Sequence, residues 1–153
     1  MDVVDHIARA EAAAGALFVD GDGQVLIVEP TYKPRWEIPG GAVERGETPR
    51  AACERELQTG LGLDLPVGRL LVVDWAPLVR EERVRYVFDG GTLTDDQLDR
   101  IALAPDELSS WAFIPPEELF VMMAPRLMRR VTAALEARAA GVTTYLEHGL
   151  PVG

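Results

Sequence analysis

One cysteine, one lysine and two histidines in 153 residues are scarcities that each exclude something. Cys53 alone makes neither an intramolecular disulfide nor a multi-cysteine zinc centre. It lies four residues before Leu57 in a stretch of helical spacing, where it reads as a small hydrophobe rather than a nucleophile. His6 and His148 lack the short spacing of metal-ligand pairs. Positive charge is also short: 15 Lys+Arg against 25 Asp+Glu leave a formal net charge of −10, a balance that repels nucleic-acid backbones. No apolar run approaches the roughly 18 residues of a membrane span. A basic segment followed by an apolar core, the mark of secretion, is missing at the N-terminus. These features predict a soluble cytoplasmic protein without nucleic-acid or membrane partners. They also predict one domain, residues 1–153, long enough to bury roughly 70% of its unfolded surface.

What is present divides the chain by turn and periodicity signals. Residues 3–14 have near-helical spacing and predict a short helix or a loose arm. Residues 15–19 and 24–29 read as two strands of a hairpin, joined by Asp20-Gly21-Asp22-Gly23. Thr48 followed by Pro49 predicts an N-capped helix over 48–59. Long strands are expected over 65–76 and 83–88, with Asp89-Gly90-Gly91 breaking the second. A polar turn or short helix over 92–100 is expected next, then short strands at 101–104 and 110–114. Pro125 opens a helix to about residue 139, with Leu127, Met128, Val131 and Leu135 on one stripe. The tail from Thr143 is short and punctuated by Gly and Pro.

The stretch 38–63 reads IPGGAVERGETPRAACERELQTGLGL. It resembles the signature of the Nudix (MutT-like) family, G-x5-E-x7-R-E-U-x-E-E-x-G-U, where U is apolar. Gly41, Glu47, Arg55, Glu56, Leu57, Gly62 and Leu63 all match. Thr59 and Gly60 stand where the family has paired glutamates, so the motif is degenerate at its metal-binding end. Both are weak helix formers, and Gly60 or Gly62 is expected to end the helix.

The resemblance implies an α/β fold, an α/β/α sandwich around a mixed sheet. It also implies Mg²⁺-dependent hydrolysis of a nucleoside diphosphate linked to another moiety. Residues i, i+3 and i+4 share one helix face, so a Glu-x-x-Glu-Glu run aims three carboxylates at one metal cluster. Here only Glu56 of the three is an acid. An impaired or rearranged site with weakly bound Mg²⁺ or Mn²⁺ is therefore expected; the alternative is a nucleotide- or metabolite-binding protein without catalysis. By the resemblance, Glu47 and Arg55 brace the loop against the helix, and the Gly41 carbonyl joins Glu56 on the metal. Glu44 is a spare ligand, and Asp106 or Glu107 the further acid from the C-terminal half. Tyr32, Lys33 and Arg35 are candidates to stack a base and hold a phosphate. The expected partner is a phosphorylated, nucleotide-derived small molecule, and a homodimer is left open.

Overall fold

A computed structural model describes residues 3–152. After a 3-10 turn (Val3–His6), the chain forms strands β1 (Glu11–Phe18), β2 (Val25–Pro30) and β3 (Gly40–Ala42), then helix α1 (Pro49–Leu61). Strands β4 (Leu70–Trp75) and β5 (Arg83–Gly91), helix α2 (Asp95–Asp99) and strand β6 (Leu108–Ile114) follow. Helices α3 (Leu119–Met122) and α4 (Pro125–Ala140) lead to strands β7 (Thr144–Glu147) and β8 (Leu150–Pro151). The larger sheet has the order β3-β1-β5-β4-β7-β8 and is mixed, with β1–β5 and β4–β7 parallel; β2 and β6 form a second, two-stranded sheet. Helices α1 and α4 cover opposite faces, which is the expected sandwich.

Alternation along β1 sets the two layers. Leu17 packs with Val72, Val87, Val131, Ala134 and Leu146 on the α4 side. Its neighbours Ala16 and Phe18 pack with Cys53, Leu57, Leu61 and Phe88 on the α1 side. Successive strand residues point to opposite faces, so a strand buried on both sides reads as a continuous apolar run. In α1, Cys53, Leu57, Gly60 and Leu61 form the buried stripe.

Several local expectations are corrected. The strand begins at Glu11, inside the segment read as a helix or arm. Alanine favours helix by propensity, but tertiary packing wins here. A Cβ on Gly15 would lie 3.0 Å from Ile38 Cδ1, so β1 needs small residues where the chain at Ile38 and Pro39 crosses it. The turn at Asp20 forms, its carboxylate accepting from the N–H groups of Asp22 and Gln24. It does not make a hairpin, however. Beyond one bridge from Val19 to Val25, β2 pairs with β6, because both edges of β1 are taken by β3 and β5.

Strand β4 starts only at Leu70, and β5 runs through Gly91 with a register shift where Leu17 faces Asp89 and Phe18 faces Gly91. Gly90 is absorbed there because any Cβ would strike the Phe18 ring at 2.6 Å. Residues 101–104 form no strand. Instead the N–H groups of Ala102 and Ala104 bond to the carbonyls of Leu61 and Gly60, capping the end of α1. The helix therefore continues through Gly60 to Leu61 and closes on Gly62, whose φ of 70° is left-handed. The tail is not irregular either. Fully buried Asp74 takes Arg130 Nε at 2.7 Å and the Gly149 N–H at 3.0 Å, tying β7 and β8 to the sheet and to α4. Among the described residues no helix is long and apolar enough to cross a membrane.

Candidate functional site

The centre of the site is built by two glycines and an arginine. At Gly40, φ is 155° and a Cβ would sit 2.3 Å from the Ala14 carbonyl oxygen, so only glycine lets β3 lie against β1. At Gly41 a Cβ would lie 2.6 Å from Glu56 Cδ. The missing side chain is what allows the strand backbone and the helix carboxylate to touch.

Arg55, one residue earlier on α1, gathers the loop. Its Nε and Nη2 donate to the two carboxylate oxygens of Glu47 at 2.7 and 2.9 Å. Its Nη1 donates to Glu56 Oε1 at 2.8 Å, and Nη2 also reaches the Ala42 carbonyl at 3.1 Å. Glu47 closes the loop by accepting the Glu44 N–H at 3.0 Å. The expected brace is present and bidentate, the geometry that makes arginine–carboxylate pairs strong. Above it, the Thr48 hydroxyl accepts from Ala51 N and caps α1.

The electrostatics follow from these contacts. The Arg55 guanidinium, and then the Glu44 N–H, pull the Glu47 carboxyl from 4.5 down to about 2. Glu47 and Glu56 in turn raise the Arg55 pKa, fixing its charge. A depressed carboxylate pKa stabilises the fold above the unfolded value of about 4.5, and that contribution fades as pH falls toward 2. Thermal melting between pH 7 and pH 2 checks this. The Glu47→Gln variant should be less stable at neutral pH, and its curve should converge on the native one as pH drops through that window. Parallel curves would exclude Glu47 as a source of acid lability. On the buried side of the same helix, burial pushes the Cys53 thiol up to about 12, which makes it a packing group and not a nucleophile.

The metal-binding end is different. Thr59 is exposed, while Gly60 is buried with Leu108 Cδ1 3.5 Å from where its Cβ would stand. Among the described residues no group of three or more His, Cys, Asp or Glu side chains is arranged to hold a metal ion. Glu56 already shares an oxygen with Arg55, and Glu44 is a largely exposed carboxylate 3.7 Å from Arg55. These donors do not fit a protein-built divalent cage. Asp106 and Glu107 are anchored through their backbones: the Thr31 hydroxyl donates to the Asp106 carbonyl at 2.8 Å, and the Thr31 N–H to that of Glu107 at 2.9 Å.

From Gly41 a cavity of about 650 Å³ opens over the α4 face of the sheet. Tyr32, Lys33 and Arg35 line it, with Lys33 paired with Glu37 at 2.6 Å and Arg35 donating to the Met123 carbonyl. Trp36 also lines it, packing on the α4-side core. Four further cations, Arg83, Arg85, Arg126 and Arg130, complete the lining. Sequence reasoning missed them, although the spacing of Arg83, Arg85 and Val87 in a strand puts the three on one face. Six cations against two carboxylates, Glu11 and Glu37, make this a basic hollow in an acidic protein.

Comparison with known proteins gives matches in sequence and in fold. The model of the NUDIX domain matches residues 9–135. The RNA pyrophosphohydrolase of Erythrobacter litoralis is 27% identical over 136 residues, covering 76% of this chain and 83% of that protein. A putative 8-oxo-dGTP diphosphatase 2 of Mycobacterium tuberculosis is 57% identical, but only over 42 residues, 26% of this chain and 30% of that one. Among solved structures, the MutT protein of Methanosarcina mazei Go1 superposes with a TM-score of 0.69 at 18% identity, covering 88% of this chain and 96% of that one, a likeness of fold.

Proposed function

The chain belongs to the Nudix family, and from that premise we propose that it hydrolyses a nucleoside diphosphate linked to another moiety, at a phosphoanhydride bond. The observation that carries this reading is continuity. Gly41 lines the cationic cavity and also touches Glu56, so a diphosphate lying across it meets the helix carboxylate while its organic part occupies the hollow. Proteins of this family generally use a divalent metal, which polarises phosphoryl oxygens and lowers the pKa of bound water.

What this chain's own residues supply is orientation and charge. Glu56 is the acid facing the reacting group, held in place by Arg55, which Glu47 in turn orients. Glu44 and Glu107 are the acids proposed to assist, with the Gly41 carbonyl beside Glu56. Tyr32, Lys33 and Arg35 flank the bound nucleotide. Because the donor set is poor, Mg²⁺ or Mn²⁺ alone should bind weakly. Calorimetric titration of the protein with Mg²⁺ is expected to give no site in the low micromolar range, and a tight site there would overturn the expectation of weak binding.

The test of activity is a Mg²⁺/Mn²⁺-dependent screen of nucleoside triphosphates, dinucleotides and nucleotide sugars. A 5′-triphosphorylated RNA oligonucleotide is included because of the name carried by the Erythrobacter relative. Metal-dependent release of phosphate or a nucleotide from one class is expected. A second reading, binding without cleavage, is favoured by one observation: Thr59 and Gly60 leave Glu56 as the only acid of the helical triad. Saturable binding with no turnover under either metal would establish that reading and overturn the first.

A further inference from the structure

Among the described residues two buried side-chain nitrogens have no hydrogen-bond partner, Arg83 Nε and Arg129 Nε, and Arg83 lines the cavity. Buried donors normally find a partner, and Arg83, at the cavity wall, has none for its Nε. The cations of this cavity fall into two sets. Lys33, Arg85 and Arg130 are paired with Glu37, Glu11 and Asp74. Arg35, Arg83 and Arg126 form no ion pair among the described residues. Arg35 bonds only to the Met123 carbonyl, and Arg126 to the Pro77 carbonyl and His148 Nδ1.

Two of the three are anchored at the same end of the β4–β5 pair. Arg126 reaches the carbonyl of Pro77, next to Ala76, whose N–H bonds to the Arg83 carbonyl at 2.9 Å. That end is not where the diphosphate is proposed to lie. On β1, Arg83 pairs with Glu11 while Gly41 pairs with Ala14, and β1 separates β5 from β3. Three residues of strand and two strand spacings put Arg83 and Gly41 roughly 10 Å apart in each direction. One diphosphate does not span both. Neutral sugar or base at Arg83 would leave its charge uncompensated in a partly enclosed site, where like charges repel more strongly than in water.

We propose that the Arg83–Arg126 corner binds a further phosphate of the substrate, beyond the diphosphate at Gly41, with Arg35 assisting. This rests on the diphosphate lying at Gly41 and Glu56. The second phosphate has two chemical sources, a phosphate monoester on a sugar and an extended polyphosphate chain.

Calorimetry on the full chain without metal separates them, using ADP-ribose, ADP-ribose 2′-phosphate and diadenosine tetraphosphate. At least one of the two phosphate-rich probes should bind about tenfold or more tightly than ADP-ribose, and which one does so identifies the source. Arg83→Gln should erase that preference, bringing the affinity of the preferred probe to within about twofold of that of ADP-ribose measured on the same variant, and Arg83→Lys should keep part of it. Arg138→Gln, which breaks the pair with Asp89 outside the cavity, should leave the preference intact. Melting curves of each variant control for folding. Equal affinity for all three probes overturns the second-phosphate site alone. Binding of none overturns it together with the diphosphate reading beneath it. A native preference that survives Arg83→Gln also removes the assignment.

Discussion

The double substitution Thr59→Glu, Gly60→Glu is expected to raise Mg²⁺-dependent turnover by roughly 100-fold or more, since changes one shell further out commonly shift metal affinity or activity about 10–100-fold. Together with Glu56 the new side chains occupy i, i+3 and i+4 on one face of α1. The two positions are not equivalent. Thr59 is exposed and accepts a glutamate freely, whereas at Gly60 the new stem starts 3.5 Å from Leu108 Cδ1 and must lead its carboxylate past that side chain. Thr59→Glu alone should therefore give a smaller gain with less strain. Three carboxylates near the C-terminal end of a helix repel one another and oppose its dipole, so the metal-free double mutant should melt lower than the native protein. Added Mg²⁺ should stabilise it, as any ligand of the folded state does. A side-by-side assay on the best substrate from the screen decides the matter. Were the native chain already fast and the mutant no faster, water would be activated from elsewhere, and the Asp106–Glu107 loop would become the place to look.

The second large effect is expected at Arg55. Replacing it with alanine removes the donor shared by Glu47, Glu56 and the Ala42 carbonyl, and leaves Glu47, Glu56 and Glu44 close together without a counter-charge. Losing charge-assisted hydrogen bonds in this setting should lower the melting temperature by several degrees, roughly 3–10 °C. Any turnover should fall by about 10–100-fold, because Glu56 loses the group that orients it. Arg55→Lys distinguishes charge from geometry: an ammonium keeps the charge but not the planar fork that binds two carboxylates at once. It should recover part of the stability and little of the activity. With the guanidinium gone, the Glu47 carboxyl should titrate well above about 2, moving back toward 4.5 while the Glu44 N–H still holds it lower, a shift measurable by carboxyl NMR. A variant that melts and titrates like the native protein would show that the brace seen in the structure carries no energy.

Comparison of sequence and structure shows where local pattern is enough. The loop between Gly40 and Thr48 and the helix after it were legible because each element is specified by neighbours close along the chain. A Thr-Pro start fixes the cap, a glycine pair fixes the approach of strand to helix, and Glu47 and Arg55, eight residues apart, meet across the first two turns of α1. Strand pairing was not legible to the same degree. The Asp-Gly turn at Asp20 has strong hairpin chemistry, yet β1 and β2 part into different sheets. Alanine-rich 11–14 reads with the segment before it as a helix or loose arm, and folds as the start of an interior strand.

By itself, then, the sequence determined the signature loop, the α1 and α4 helices and the thinness of the acid cluster at Thr59 and Gly60. All of these depend on neighbours close along the chain. Only the tertiary structure decided that Gly60 continues the helix, because the carbonyls at its end are satisfied by residues 102 and 104. Only the tertiary structure gathered Arg35, Arg83 and Arg126 around one hollow. They lie 48 and 43 residues apart in the chain, and no local periodicity links a loop, a strand and a helix start. What joins them is the sheet, which sets β5 beside β1 and lays α4 across that face.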